Sequence, residues 1–316
     1  MNNYSWADIT PETSATFAHE RPILILGARD ISEKRIQQLT AQLLAKKAVV
    51  WGCFTEKFIT GLENSPQFQT LSLTKLKKAL TALDQTGKNP VATLLYSQTD
   101  SSQVIKAVAW SAVIGINGSW HRAFHYRDEF QTLTKNKIPY KLVSSFVDET
   151  EALAYDQAIK PQLPQLAAQK GKKYSHQELM SFAQKTSLLS FDYTFQTGAV
   201  LAKDNQFLLS AHNQVVPYET YMLHQGATKE KLQLGVQDTS VYDTNHAEVE
   251  LLVQAMKNNI NLADCSLFIN LLPCPVCTKM LARTGLKEII YQHDHSDGYA
   301  KKILEKVGIK VTLYSD

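Results

Sequence analysis

The chain has 316 residues, of which 44% are hydrophobic and 20% charged, and its formal net charge is +3. This length suits two domains of ordinary size, and the apolar content allows each to bury a core. The weak positive charge argues against a protein that binds nucleic acid chiefly through a basic surface. Four cysteines in a chain of this length exclude a small scaffold held together by disulfides.

The amino-terminal stretch, MNNYSWADITPETSATFAHERP, has no basic region followed by an apolar one, so no secretory signal is predicted. Apolar runs such as residues 23–26 and 267–272 are far too short to cross a membrane. Thiolates that are free to bind metal persist in a reducing compartment. We therefore expect a cytoplasmic protein without a membrane partner.

Short apolar runs alternate with amphipathic stretches through the first half of the chain. The runs predict buried strands, and the stretches between them predict helices. The predicted strands begin at Pro22, Ala48, Val91, Val113 and Tyr140, and the predicted helices cover residues 32–46, 73–83, 103–110 and 127–135. Such alternation is typical of βαβ units, so residues 1–155 are predicted to form a Rossmann-like, doubly wound parallel sheet.

Two segments of this half follow predicted strands and are candidates for phosphate binding. Residues 27–30 contain a single glycine rather than a dinucleotide fingerprint, and an ordinary strand-to-helix turn explains them better. Residues 115–127 carry small residues together with Arg122 and Arg127, a pattern compatible with a phosphate pocket or with a solvated basic face. The hypothesis that residues 1–155 bind a nucleotide or phosphate rests on these segments. The alternative is that this half only supports an oligomer.

A polar stretch separates the two halves. Residues 156–173 contain two prolines, several glutamines and a basic cluster, and they are predicted to be a linker. Beyond it, Ser175 and Glu178 have the spacing of a capping box at the start of a helix. A hairpin and further alternating helices and strands follow, so residues 174–316 are predicted to form a second domain with a mixed sheet.

Two short motifs of the second domain carry the chemistry. In Pro273-Cys-Pro-Val-Cys277, cysteines separated by two residues at the start of a helix direct both sulfurs to one point. His246 supplies a third ligand, and the fourth tetrahedral position is left for water, as in catalytic rather than structural zinc sites. Glu248 lies two residues further on, where it can act as a general acid and base.

A Cys-x-x-Cys pair alone would also fit a redox pair or half of a structural zinc site. Its occurrence together with His-x-Glu and a preceding proline is the signature of zinc-dependent deaminases. The sequence therefore predicts Zn²⁺ held by His246, Cys274 and Cys277, with Glu248 as the catalytic residue.

These motifs resemble those of the cytidine and deoxycytidylate deaminase superfamily, and the resemblance covers residues 175–316. It is also carried by Thr197-Gly-Ala-Val, by His212-Asn213, and by the tail between Ile289 and Val311. The resemblance implies a cytidine-deaminase-like α/β/α sandwich and a hydrolase that releases ammonia from cyclic amidines. It further implies a small-molecule nucleotide as substrate, with dCMP converted to dUMP, and a homo-oligomer.

Within the superfamily, the tail and the histidine ligand resemble the deoxycytidylate deaminases most. The resemblance implies that Asn213 contacts the sugar and that the backbone of Ala247 and Pro273 holds the polar edge of the base. Asn213 could equally cap a turn, because asparagine is common in turns. His295 stands where a tyrosine is frequent in this group, and it is either a phosphate contact or a plain loop residue.

One departure from the family pattern leaves the substrate open. The arginine-rich segment that precedes the first strand in the family is replaced by residues 191–196, Phe-Asp-Tyr-Thr-Phe-Gln. Another cytosine compound, a purine, or tRNA or another nucleic acid are therefore alternative substrates. The non-enzymatic alternative is a nucleotide-sensing protein that keeps the deaminase fold as a scaffold.

Overall fold

The computed structural model describes residues 2–9, 20–83, 90–235, 238 and 241–315, and the chain divides into two compact units. Unit 1 comprises Met1–Pro161 and Thr220–Tyr242, and unit 2 comprises Gln162–Glu219 and Asp243–Asp316. Residues 10–19 of the amino-terminal stretch, in which no secretory signal is predicted, lie outside the described residues. Among the helices that are described, none combines the length and the hydropathy needed to span a bilayer.

The helices and strands follow the alternation that the sequence predicts. The strands are β1 (Asn2–Ser5), β2 (Ile23–Leu26), β3 (Val49–Phe54), β4 (Val91–Tyr96), β5 (Ala112–Ile116), β6 (Tyr140–Val143), β7 (Gly198–Lys203), β8 (Gln206–His212), β9 (Gln214–Val215), β10 (Thr244–Asn245), β11 (Ser266–Leu271), β12 (Glu288–His293) and β13 (Lys310–Leu313). The α-helices are α1 (Glu33–Leu44), α2 (Leu73–Thr81), α3 (Ser101–Ala107), α4 (Asp128–Lys135), α5 (Glu149–Ile159), α6 (His176–Ser187), α7 (Tyr221–Gln225), α8 (Thr228–Lys231), α9 (Ala247–Lys257), α10 (Pro275–Leu281) and α11 (Tyr299–Lys306).

Unit 1 contains a six-stranded sheet of order β1-β4-β3-β2-β5-β6, in which neighbouring strands are parallel. Helices α1 and α2 pack on one face through Ile36 and Leu76, and α3 and α4 pack on the other through Val104 and Leu133. Burial on both faces explains why these strands are unbroken apolar runs. The predicted α/β class is confirmed, although the polar edge strand β1 gave no signal in the sequence.

The segment of residues 220–242 belongs to unit 1, although it interrupts unit 2 in the chain. Its helix α7 buries Leu223, and the carboxylate of Glu230 in α8 accepts hydrogen bonds from Trp120 Nε1 (2.8 Å) and from the Phe124 backbone N–H (2.5 Å). The predicted boundaries, with residues 174–316 as one continuous domain, are corrected here. The boundaries differ because Leu223 and Glu230 contact residues about a hundred positions earlier in the chain.

The predicted linker, residues 156–173, is also more ordered than its composition suggests. Helix α5 continues to Ile159, and Leu166 and Ala168 pack against a core cluster of unit 2. Its few apolar residues are enough to hold the stretch against the protein, since each buried aliphatic side chain gains on the order of 1–3 kcal/mol.

Unit 2 has a five-stranded sheet of order β13-β12-β11-β7-β8. Strands β7 and β8 form an antiparallel hairpin, whereas β11, β12 and β13 are mutually parallel. Helix α6 packs on one face, and α9, α10 and α11 pack on the other, so the layers are α/β/α as predicted. A separate two-stranded ribbon pairs β9 with β10 and leads directly into His246.

Gly198 at the start of β7 allows α6 to lie against the sheet. A Cβ at this position would stand 2.1 Å from the carbonyl oxygen of Ala183 and 2.4 Å from the backbone nitrogen of Ser187. Both atoms belong to helix α6 and cannot be turned aside as a flexible side chain could. The glycine of the Thr-Gly-Ala-Val motif is therefore a packing requirement.

Gly198→Ala should destabilise the protein by about 1–3 kcal/mol, because the methyl group forces α6 away from β7. Urea unfolding followed by circular dichroism measures this loss. Gly235→Ala is the matched control, since a Cβ there meets nothing within 4 Å. Equal midpoints for the two variants would show that the helix adjusts freely.

Candidate metal and catalytic site

The predicted metal ligands occupy the beginnings of two helices in unit 2. Strand β10 ends at Asn245, and His246 is the N-cap of α9. Cys274 is the N-cap of α10, where its sulfur accepts a hydrogen bond from the backbone N–H of Cys277 (3.4 Å). Pro275 takes the first helical position, where a missing N–H costs nothing.

The three ligand atoms converge on one point. His246 Nδ1 lies 3.5 Å from Cys274 Sγ and 3.4 Å from Cys277 Sγ, and all three atoms lie within 4.8 Å of one another. Both cysteines are buried, whereas His246 is partly exposed. The structure thus brings together the three residues that the sequence singled out, in a group able to hold one metal ion.

The charges within this group favour a thiolate at Cys274. A hydrogen bond from the Cys277 thiol is the main cause that lowers the pKa of Cys274 to about 4, and it raises the pKa of Cys277 in turn. Burial opposes protonation of His246, but the hydrogen bond with Cys274 and the negative charges of Cys274, Glu248 and Asp192 together raise its pKa. A sulfur that carries negative charge beside an imidazole nitrogen is a donor set for a soft or borderline cation.

Glu248 lies in the first turn of α9 and is only 3% exposed. Burial raises the pKa of its carboxyl group, which also forms a hydrogen bond with the Cys277 side chain. Ala247, between the histidine and this glutamate, is fully buried. A carboxyl group with a raised pKa next to a metal-binding group is well suited to exchange protons near neutral pH.

Asn213 holds the loop of residues 190–197 through both ends of its carboxamide. Its Oδ1 accepts from the Thr197 N–H (2.7 Å), and its Nδ2 donates to the carbonyl oxygen of Phe195 (2.8 Å) and to Asp192 Oδ2 (3.3 Å). The structure therefore shows the turn-stabilising contacts that were one of its two predicted roles. Its predicted contact with a sugar stays a prediction.

Asp192 is a buried carboxylate that the sequence did not single out. It accepts hydrogen bonds from the Thr194 N–H (2.7 Å) and from Thr244 Oγ1 (3.4 Å), two residues before His246. Burial raises its pKa. An acidic residue within the run Ser-Phe-Asp-Tyr was the only signal in the sequence, and its partners lie too far along the chain for pattern analysis to find.

The remaining predicted substrate contacts lie in different surroundings. Pro273 is buried, and its carbonyl oxygen accepts a hydrogen bond from Thr278 Oγ1 (3.1 Å). His295 is exposed in the loop between β12 and α11, which Asp294 braces by accepting from the N–H groups of Ser296 and Gly298 (both 2.8 Å). The roles of Pro273 and His295 towards a substrate stay predictions.

A comparison with protein-family models finds a match in the second half of the chain. Residues 174–313 match the model of the MafB19-like deaminase family. This match confirms the predicted resemblance to the cytidine and deoxycytidylate deaminase superfamily for this segment.

Individual proteins are similar in sequence to parts of this chain. Deoxycytidylate deaminase of Enterobacteria phage T2 is 31% identical over 68 residues, which are 21% of this chain and 36% of that protein. The Homo sapiens enzyme of the same name is 31% identical over 71 residues, 21% of this chain and 39% of that protein. The chain thus spans little more than a third of the length of these relatives. ComE operon protein 2 of Bacillus subtilis is 21% identical over 137 residues, 43% of this chain and 69% of that protein.

Two solved structures of deaminases are similar to part of the chain. The dCMP deaminase from the cyanophage S-TIM5 in complex with dCMP and dUMP has 25% identity and a TM-score of 0.36, over 43% of this chain and 93% of that one. A guanine deaminase from Nitrosomonas europaea has 12% identity and a TM-score of 0.32, over 48% of this chain and 86% of that one.

Asn213→Ala should destabilise the protein by about 2 kcal/mol, because it removes the hydrogen bonds to the Thr197 N–H and to the Phe195 carbonyl oxygen that hold the loop. Differential scanning calorimetry measures the change. Asn258→Ala is the control, since that side chain makes a comparable 2.8 Å bond to the Gln254 carbonyl on an exposed helix surface, and its loss should stay within about 0.5 kcal/mol. Similar losses in both variants would contradict a loop-holding role.

Proposed function

We propose that unit 2 is a zinc-dependent hydrolytic deaminase of a nucleotide or nucleobase compound, with dCMP as the first candidate substrate. The observation that carries the proposal is the convergence of His246, Cys274, Cys277 and the buried Glu248 in one site. The family match of residues 174–313 supports the same activity.

The donor set fits zinc in distance and in chemistry. With Zn–S bonds of about 2.3 Å, a Zn–N bond of about 2.0 Å and tetrahedral angles, sulfur and nitrogen ligands stand roughly 3.5 Å apart. The separations from His246 Nδ1 to Cys274 Sγ and Cys277 Sγ are 3.5 and 3.4 Å. Zinc bound here would act as a Lewis acid that makes water nucleophilic at neutral pH.

The protein's own contribution to the reaction is proton transfer by Glu248. Its carboxylate accepts a proton from the attacking water and passes it to the ring nitrogen of the amidine. It then takes the remaining proton from the hydroxyl group added at the reacting carbon and gives it to the departing amino group, so that water and the aminated base become ammonia and the carbonyl compound. Burial of Glu248 keeps its pKa raised, which allows the same group to hold and to release the proton.

Recognition of the substrate is proposed from the surroundings of this centre. The backbone at Ala247 and Pro273 is assigned to the polar edge of the base, Asn213 to the sugar, and His295 to the phosphate. The Asn213 carboxamide already forms hydrogen bonds with the 190–197 loop through Oδ1 and Nδ2. We therefore infer that a sugar hydroxyl would share one of these two atoms with the loop. That loop carries no arginine that could pair with a monophosphate.

Removing both thiolates should abolish zinc binding. Elemental analysis should find about one zinc per chain in the purified wild-type protein, since three protein ligands define a catalytic site. The Cys274→Ser, Cys277→Ser double variant should lose it. The control is Cys53→Ala with Cys265→Ala, because both of these thiols are buried apart from the site and burial raises the pKa of each. Zinc that survives in the serine variant would refute the ligand assignment.

Glu248→Gln should keep zinc but lower turnover at least about 100-fold, because it removes the proton-transfer group and no ligand. Ammonia release from dCMP, deoxycytidine, adenine and guanine compounds and a tRNA measures both activity and substrate. Glu250→Gln is the matched control, since Glu250 lies in the same first turn of α9 but outside the site. Wild-type turnover in Glu248→Gln would remove this residue from the mechanism. Ammonia from none of the panel would contradict the deaminase proposal.

A cytoplasmic location and a homo-oligomer complete the proposal. Size-exclusion chromatography with light scattering at several protein concentrations tests the second of these directly.

A further inference from the structure

The parallel sheet of unit 1 has a crevice where its strand order reverses. The chain builds outward from β2 through β3 to β4, then returns to place β5 on the other side of β2. The loops that follow β2 and β5 therefore diverge at their carboxyl ends, which is where open parallel sheets bind ligands. Arg29 lies in the loop after β2, and Asn117 directly follows β5.

Arg29 carries a buried positive charge at this point. Its side chain is 0% exposed, and its Nη2 donates to the carbonyl oxygen of Gln67 and to the Tyr155 hydroxyl (3.2 Å). Nε and Nη1 have no hydrogen-bond partner among the described residues, and no described carboxylate lies within ion-pair distance. Buried charges are ordinarily paired, because desolvation of an ion without a counter-charge is strongly unfavourable.

Two aromatic rings hold the guanidinium group of Arg29 in a position from which it can bind an anion. The aromatic rings of Tyr155 and Phe146 stand 5.2 and 5.9 Å from its central carbon. Aromatic faces hold a guanidinium group in place without consuming its N–H donors. Arg29 is therefore oriented by contacts that leave two of its nitrogen atoms available.

Gly118, two residues after the end of β5, lies against the Arg29 side chain. A Cβ on Gly118, which has a positive φ of 77°, would stand 3.1 Å from Arg29 Cδ and 3.6 Å from Nε. The neighbouring Asn117 is 4% exposed, and its Oδ1 also has no hydrogen-bond partner among the described residues. Rotation of this carboxamide by half a turn would present its N–H donors instead.

A small cavity and helix α7 adjoin the crevice. A cavity of about 20 Å³, lined by Leu26, Ser119 and Trp120 among others, opens beside it, and Ser119 Oγ accepts from the Arg29 backbone N–H (3.0 Å). The five-residue helix α7 closes the crevice with Leu223, whose Cδ2 stands 2.3 Å from the position of a Cβ on Gly118.

We propose that this crevice binds a small anion, the phosphoryl or carboxylate group of a small molecule, with Arg29 as its charge partner. The two arginines that the sequence favoured are placed differently. Arg127 is ion-paired with Glu129 (3.2 Å), and Arg122 is exposed. The site is independent of the deaminase proposal, since every residue that forms it belongs to unit 1.

The test uses the full-length protein and measures thermal unfolding and isothermal titration with inorganic phosphate, UMP and succinate, each against sodium chloride of equal ionic strength. At least one of these anions should raise the melting temperature by several degrees. A response to phosphate and UMP alone identifies a phosphoryl group, and a response to succinate alone identifies a carboxylate. If no anion of the panel binds, the proposal is overturned.

Variants locate the binding. Arg29→Gln should weaken the affinity at least tenfold, and Arg29→Lys should recover part of it by restoring the charge. Arg35→Gln is the matched control, because Arg35 is 8% exposed but its donors are bonded to the Ser144 carbonyl (3.0 Å) and to Gln38 Oε1 (2.6 Å). Unchanged affinity in Arg29→Gln, or an equal loss in Arg35→Gln, would overturn the assignment.

Asn117→Asp is a second variant that tests the site if Arg29→Gln fails to fold. This nearly isosteric change places a carboxylate in the crevice, where it supplies the missing counter-charge and repels an incoming anion. The unliganded variant should melt at or above the wild-type temperature, and its anion affinity should fall at least tenfold. Wild-type affinity in this variant would contradict an anion site in the crevice.

Discussion

The beginnings of α9 and α10 must meet for the metal-binding group to exist, and the sheet of unit 2 enforces that meeting. Strand β11 lies between β7 and β12, with Phe268 opposite Val200 on one side and Ile290 on the other. This pairing fixes where β11 ends, and Cys274 follows three residues later. On the other side of the site, the β9–β10 ribbon fixes where His246 begins its helix. A slip of one residue in either pairing would turn its ligand towards the opposite face.

The close spacing of the ligands in sequence explains why this part could be predicted. His246 and Glu248 are two positions apart, and Cys274 and Cys277 are three positions apart, so local geometry determines most of the arrangement within each pair. The alternation of strands and helices was visible for a similar reason, because both faces of the unit 1 sheet are buried and its strands are unbroken apolar runs.

Features that depend on distant partners escaped prediction. Asp192 accepts a hydrogen bond from Thr244, 52 positions away in the chain, and Glu230 accepts one from Trp120, 110 positions away. Neither carboxylate differs in sequence from a solvated surface residue. The same limit applies to the arginines of unit 1: the small-residue pattern favoured Arg122 and Arg127, whereas only the fold shows that Arg29 is enclosed. Burial of a charge is a property of topology and cannot be read from its neighbours in the chain.

The return of residues 220–242 to unit 1 has a consequence for how the protein is made. During synthesis, the ribosome releases the chain from its amino terminus, and domains commonly fold in that order. Here unit 1 lacks α7 and α8 until residue 242 has emerged, by which time residues 162–219 of unit 2 are already outside. The nascent chain must hold an uncovered sheet edge while the second unit begins to form. A cut at any single point between residues 162 and 219 would separate α7 and α8 from the other elements of unit 1.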